Sequence, residues 1–189
     1  MTDLNPIIAD RFTEHLEVFG KTMEHMDTIQ EIAYRCKAAL DNGNKILFCG
    51  NGGSAADSQH LAAELIGRFK KERRSFAAVA LTTDTSALTA IANDYDFDAV
   101  FARQVEGLGR TGDVLIGIST SGNSKNVVKA AEMARSIGMH TIAFTGEGGG
   151  KLAEICDITL AIPSNVTARI QEMHILAGHI MCELIEEDY

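Results

Sequence analysis

Prolines are nearly absent from this chain: Pro6 and Pro163 are the only two in 189 residues, and no linker or low-complexity tract divides it. A string of domains on extended spacers is thereby excluded, and the length suits one compact unit. Basic charge is also scarce. Seventeen Lys and Arg face 26 Asp and Glu, a formal charge of −9, which repels nucleic acid and leaves no extended basic surface for a phosphate backbone. A small anion can still be held, because a local pocket of backbone donors overrides the global field. No stretch approaches the ~18 apolar residues of a membrane span, and the polar start Met1-Thr2-Asp3-Leu4-Asn5-Pro6 lacks the pattern of a secretion signal. Four cysteines, Cys36, Cys49, Cys156 and Cys182, are widely spaced with no C-x-x-C pair and read as buried reduced thiols. These absences predict a soluble, cytoplasmic protein with neither nucleic acid nor membrane as partner.

What is present is periodic. Ile8, Phe12, Leu16, Phe19, Met23 and Met26 recur every three or four positions, the stripe of an amphipathic helix. Thr28 and Glu31 have capping-box spacing, so a break is expected at Asp27-Thr28, with a second helix ending at Asn42-Gly43. The stripe either packs on its own domain or forms a helical subunit interface. Two regions are therefore expected in one structural unit: N-terminal helices over 1–43 and a central domain over 44–189.

From Lys45 onward, apolar runs alternate with helical patterns. Ile46 to Cys49, Ala77 to Leu81, Val114 to Ser119, Thr141 to Thr145 and Ile158 to Ile162 read as strands. Helices are expected over Ser54 to Phe69, Thr85 to Ala92, Asn123 to Ile137, Gly150 to Ile155 and Thr167 to Glu187, the last with Ile170, Met173, Ala177, Met181 and Leu184 inward. Strands that are apolar throughout and separated by helices predict an α/β, doubly wound, five-stranded parallel sheet. Ligands of such sheets bind beyond the carboxyl ends of the strands, near the switch point.

Two strand-to-helix junctions carry the chemical signal. Gly50-Asn51-Gly52-Gly53-Ser54 lets the backbone approach a ligand closely, and Ser54 can cap the following helix, although a tight structural turn explains the glycines equally well. Ser119-Thr120-Ser121-Gly122-Asn123-Ser124 places four hydroxyls where a strand ends and a helix begins. The free N–H groups and partial positive charge of a helix start suit a phosphate, and the hydroxyls add donors. Further along, His60 and Glu64 share a helix face four residues apart, a spacing open to metal binding, acid–base work or a plain hydrogen-bonded pair. On the terminal helix Gln171 can face the same pocket as either His174 or His179; spacing does not choose between them. Lys70-Lys71-Glu72-Arg73-Arg74 reads as a solvated loop, from which an arginine could approach a neighbouring subunit's site, Gly146 to Gly150 as a mobile connection, and Glu183 to Asp188 as an acidic helix end without a role.

In order and spacing, the two junctions, His60, Glu64, Asn93-Asp94, Arg169-Ile170-Gln171-Glu172 and His179 resemble the sugar isomerase (SIS) domain family, and within it the isomerases of sedoheptulose 7-phosphate. The resemblance runs from about Lys45 to the C-terminus and implies strands in flavodoxin-like order. It implies an aldose–ketose isomerase that makes a heptose 7-phosphate by enediol proton transfer, supplying heptose for lipopolysaccharide core or capsule. Glu64 and His179 would be the catalytic pair. Asn51, Gly52, Gly53, Ser54, Glu64, Asn93, Asp94, Ser119, Thr120, Ser121, Ser124 and Gln171 would hold substrate. His60, Glu64, Gln171 and His179 would hold one zinc ion per subunit, with His174 left as a packed residue. A carboxylate committed to a cation is a poorer base, so the two duties of Glu64 compete. The resemblance also implies a homotetramer with sites between subunits. Two rivals stand beside this reading: a non-catalytic binding module of the same domain, and an isomerase of another phosphosugar.

Overall fold

The computed structural model describes residues 4–187. Five parallel strands, β1 (Ile46–Gly50), β2 (Ala78–Ala80), β3 (Val114–Ser119), β4 (His140–Thr145) and β5 (Ile158–Ala161), form one sheet in the order β2-β1-β3-β4-β5. The doubly wound architecture and its flavodoxin-like order are thus as expected. Alternation along β1 explains the two-sided core. Ile46 and Phe48 face one layer with Ile116, Ile118 and Phe144. Leu47 and Cys49 face the other with Leu115 and Ala143.

Three helices cover the first face: α2 (Met26–Asp41), α3 (Gly53–Ile66) and α8 (Thr167–Glu186), through Ile32, Cys36, Leu61, Leu65, Met173 and Met181. On the second face lie α5 (Ala102–Leu108), α6 (Lys125–Ser136) and the short α7 (Gly150–Ile155). An α4 (Thr85–Asp94) and a 3-10 turn at Phe97–Ala99 precede α5, so the β2–β3 connection holds two α-helices where the pattern showed one. The missed α5 is a seven-residue helix whose only fully buried side chain is Val105, too little for a periodic signal.

Several local expectations are corrected. The break before α2 is a 3-10 turn at Met23–His25, and no side chain caps α2, so Thr28 sits inside the helix. Gly43, at φ +79, ends it as expected. On α8 Leu184 is exposed and Ile185 is buried in its place. All four cysteines are free, three buried and Cys156 half-buried.

The N-terminal α1 (Asn5–Thr22) is held to α8 by polar contacts. Arg169, 8% exposed, donates to the carbonyl of Arg11 at 3.0 Å and to Glu14 at 3.3 Å, while His15 Nδ1 lies 2.7 Å from Glu172. Its apolar stripe is left open. Ile8, Phe12, Leu16, Phe19, Met23 and Met26 are all exposed, from 39% at Phe19 to 69% at Phe12. The stripe therefore does not pack on its own domain. Among the described residues no helix is long and apolar enough to cross a membrane.

Candidate active site

Because β1 and β3 are neighbours whose onward connections run to opposite sides, the loops that leave them diverge at the switch point, where such sheets bind their ligands. The first loop turns on Gly52, at φ +57, directly into α3. Ser54 is buried in the first turn rather than capping it: its N–H donates to the Asn51 carbonyl at 3.0 Å and its carbonyl accepts the Ser58 hydroxyl at 2.8 Å. Asn51 is tied to Asn126 by two reciprocal amide bonds of 2.9 and 2.8 Å, which lock the loop after β1 to the first turn of α6. Asn126 was not singled out from sequence; its signal is an amide at a buried position of an amphipathic helix.

Ser119, Thr120, Ser121 and Ser124 gather at the start of α6. The buried Ser119 hydroxyl donates to Ser124 Oγ at 2.8 Å and lies 3.5 Å from Ser121 Oγ, which in turn accepts the Asn123 N–H at 3.1 Å. Gly122, at φ +66, makes the turn. Behind this cradle stands the glycine segment 146–150, which is a buttress and not the mobile connection expected. Its Gly146 N–H donates to the Thr120 carbonyl at 2.9 Å, and just beyond it the Leu152 N–H donates to the Gly122 carbonyl at 3.0 Å. Packing is so close that a methyl group on Gly122 would overlap the Gly149 carbonyl oxygen, and one on Gly150 would lie 2.6 Å from that of Ser121.

A second polar cluster lies further along α3. His60 Nε2 is 3.1 Å from Glu64 Oε1, and His179 Nε2 is 3.2 Å from His60 Nε2. The three ligand atoms all lie within 4.8 Å of one another. Helices α3 and α8 run parallel, since Gly53 abuts Gln171 and Leu61 abuts Gly178. A methyl group on Gly178 would lie 2.5 Å from Leu61, so this glycine lets the helices close until the two imidazoles meet. Phe69 stacks on the outer side of His179, with ring centroids 5.4 Å apart and planes 17° apart. The separations suit a metal: donors at about 2.0–2.1 Å from a tetrahedral ion stand about 3.3 Å apart. A His-His-Glu group able to hold a cation is thus present.

The remaining expected residues are spread more widely. Gln171 is half-buried with its amide over Gly53, eight positions before His179 and so about 12 Å away along the helix axis. Asn93 and Asp94 are exposed at the end of α4, where the Asn93 amide donates to Asp94 at 2.9 Å. His174, fully buried, donates from Nε2 to the Thr145 carbonyl at 3.0 Å, and burial pushes its pKa down to about 4. It is the packed histidine of the two. Asp57, one turn before His60, was not singled out. One of its carboxylate oxygens is buried without a partner, and burial raises its pKa against the pull of His60.

A family model described as the SIS domain matches residues 10–146, most of the chain. A phosphoheptose isomerase of Aliarcobacter butzleri is 58% identical over 96% of this chain and 96% of its own. The chain belongs to the phosphoheptose isomerases of the SIS domain family. The phosphoheptose isomerase of Neisseria gonorrhoeae superposes with a TM-score of 0.92 at 50% identity, covering 97% of this chain and 98% of that one. That of Francisella tularensis superposes with a TM-score of 0.94 at 38% identity, covering 99% and 100%. As a member of this family the protein is an aldose–ketose isomerase.

Proposed function

We propose that the protein converts sedoheptulose 7-phosphate into D-glycero-D-manno-heptose 7-phosphate. The observation that carries this reading is the pairing of a hydroxyl-lined helix start, fit for a phosphate, with a carboxylate–imidazole cluster fit for proton transfer. Ser119, Thr120, Ser121 and Ser124 hold the phosphate. Asn51, Gly52, Gly53, Ser54, Asn93, Asp94 and Gln171 line the path of the sugar hydroxyls and align the reacting carbons. Glu64 takes the carbon-bound proton and returns it to the adjacent carbon, and His179 assists at the oxygens.

Glu64 lies eleven residues past Gly53 on α3, about 16 Å along its axis from the loop at the switch point. One chain's cradle and its own Glu64 are too far apart for one small sugar. The site is accordingly completed between protomers, and the open apolar stripe of α1 is the surface that brings them together in a homotetramer.

The cation that suits the cluster is zinc, held by His60, Glu64 and His179 of one chain, with Gln171, too far along its own α8 to join them, supplied as a fourth ligand across the protomer interface. Zinc bound there would polarise the substrate carbonyl. The setting is cytoplasmic, in keeping with four unpaired thiols.

The deciding experiment replaces Glu64 by Gln. Binding of sedoheptulose 7-phosphate should persist while turnover falls by about a thousandfold or more, in line with loss of a general base. Turnover near the parent level would remove Glu64 from that role. Parallel assays with five- and six-carbon ketose phosphates should show the seven-carbon substrate preferred.

A further inference from the structure

The basic run at 70–74, expected to be a solvated loop, and the acidic end of α8, expected to have no role, hold each other. The Glu186 side chain is 1% exposed and is ringed by donors. Oε1 accepts the Phe69 N–H at 2.8 Å, and Oε2 accepts those of Lys70 and Lys71 at 2.8 and 2.9 Å. Arg73 Nη2 lies 2.8 Å from Oε1, with its own side chain 1% exposed. Burial alone would raise the Glu186 pKa; the three N–H groups and the guanidinium outweigh it and hold the carboxyl below its ordinary range.

The guanidinium also reaches the end of α3 through its two Nη atoms. It donates to the carbonyls of Glu64 and Leu65, each at 2.9 Å, and to that of Gly67 at 3.0 Å, with the Phe76 ring 4.1 Å from its centre. Glu64 and Leu65 lie in the last turn of α3 and Gly67 is its C-cap, where the carbonyls have no helical partners. Arg suits this place better than Lys, since its fork of donors reaches a carboxylate and several carbonyls at once, where a lysine ammonium is a single point. Asp188, the last of the acidic run, lies outside the described residues.

This joint touches both members of the proposed catalytic pair without being in the site. Through Arg73 it grips the backbone of Glu64. Through Phe69 it sets a ring flat against His179, which lies two turns before Glu186 on the same helix. The close approach of Gly178 to Leu61 fixes one end of the cluster, and the ion pair fixes the other.

We infer that Glu186 and Arg73 are positioning residues for the isomerase reaction, acting by fixing the Glu64 backbone and by seating Phe69 on the His179 imidazole. The inference rests on the reading of Glu64 and His179 as the catalytic pair. Neither residue acts by touching substrate; both determine where the reacting groups stand.

The test compares the full-length wild-type protein with Glu186→Gln, which keeps the shape and removes the charge, and with Phe69→Leu, which leaves the ion pair intact. Two quantities are read: kcat and KM with sedoheptulose 7-phosphate, and the ring-current shift of the His179 imidazole protons, assigned by their loss in His179→Gln. Both variants should lose most of the ring-current shift. Both should lose about 10- to 100-fold in kcat with KM within about threefold, as when a group supporting a site's ligands is removed. Arg73→Lys should behave like Glu186→Gln. A folded Glu186→Gln protein with parent kcat and an unchanged shift overturns the proposal. So does a Phe69→Leu protein with parent kcat, including the case in which Glu186→Gln does not fold. If Glu64→Gln itself proves active, the catalytic reading fails, whereas the His179 shift still reports whether Glu186 seats the ring.

Discussion

The hydroxyl cradle and the imidazole–carboxylate cluster are built on opposite principles. The cradle is local: Ser119 to Ser124 follow one another in the chain, and the turn is held by their own side chains and by the nearby glycine segment 146–150. The cluster is remote: His60 and His179 stand 119 residues apart and meet because two parallel helices close over Gly178 and are pinned by Glu186. Backbone groups make the first site rigid from within. The second has no rigidity of its own and borrows it from helix packing. Damage to the cradle should therefore appear in substrate binding, and damage to helix packing in turnover.

The largest expected effect is on the cradle. Gly122→Ala puts a side chain into a left-handed conformation and onto the Gly149 carbonyl, two penalties that together cost about 3 kcal/mol or more. Phosphosugar affinity should fall by at least tenfold in calorimetry, and the thermal midpoint should drop. A Gly122→Ala protein with parent affinity would mean the buttress is dispensable.

Gly178→Ala breaks the other half of the comparison. Its methyl group meets the fully buried Leu61, an overpacking worth about 1–3 kcal/mol. It should part His179 from His60 and lower kcat about tenfold while leaving affinity for inorganic phosphate unchanged. A loss of phosphate binding of equal size would show that the two regions are not separable.

The smallest effect concerns His174, which braces β4 from behind. Its pKa is about 4 in the fold, against about 6.5 when unfolded. Above pH 6.5 neither state carries the proton, so the group adds no pH dependence. Below it the unfolded chain binds a proton that the folded chain refuses, and stability falls by about 1.4 kcal/mol per pH unit down to about pH 4. Denaturant titrations at pH 7 and 5.5 should show that loss, and a His174→Gln protein should show a shallower one. Equal slopes would place the acid sensitivity elsewhere.

Much of this was legible in the chain. Apolar runs separated by helical patterns gave the parallel sheet, and β3 and α7 fall on the residues expected. The hydroxyl run at 119–124 is a contiguous signal that survives folding unchanged. Other features were hidden for physical reasons. The Asn51–Asn126 pair joins residues 75 positions apart, and no periodicity marks an amide that finds its partner in another loop. Gly146 to Gly150 looked mobile because glycine content reports freedom in the unfolded chain, whereas three close backbone contacts remove it in the fold. The basic and acidic runs looked like solvated charge, since nothing local shows that the Arg73 and Glu186 side chains are each 1% exposed.

Residue order by itself determined the layer architecture and the hydroxyl-rich helix start at 119–124, because helix starts, hydroxyls and strand periodicity act over a few residues. Tertiary structure alone decided which histidine would be buried and which would meet Glu64. The reason is that α8 presents His174 to the sheet and His179 to α3, a choice made by packing surfaces and not by spacing. It also decided that the apolar stripe of α1 would stay uncovered by its own chain, where Phe12 and Leu16 face outward.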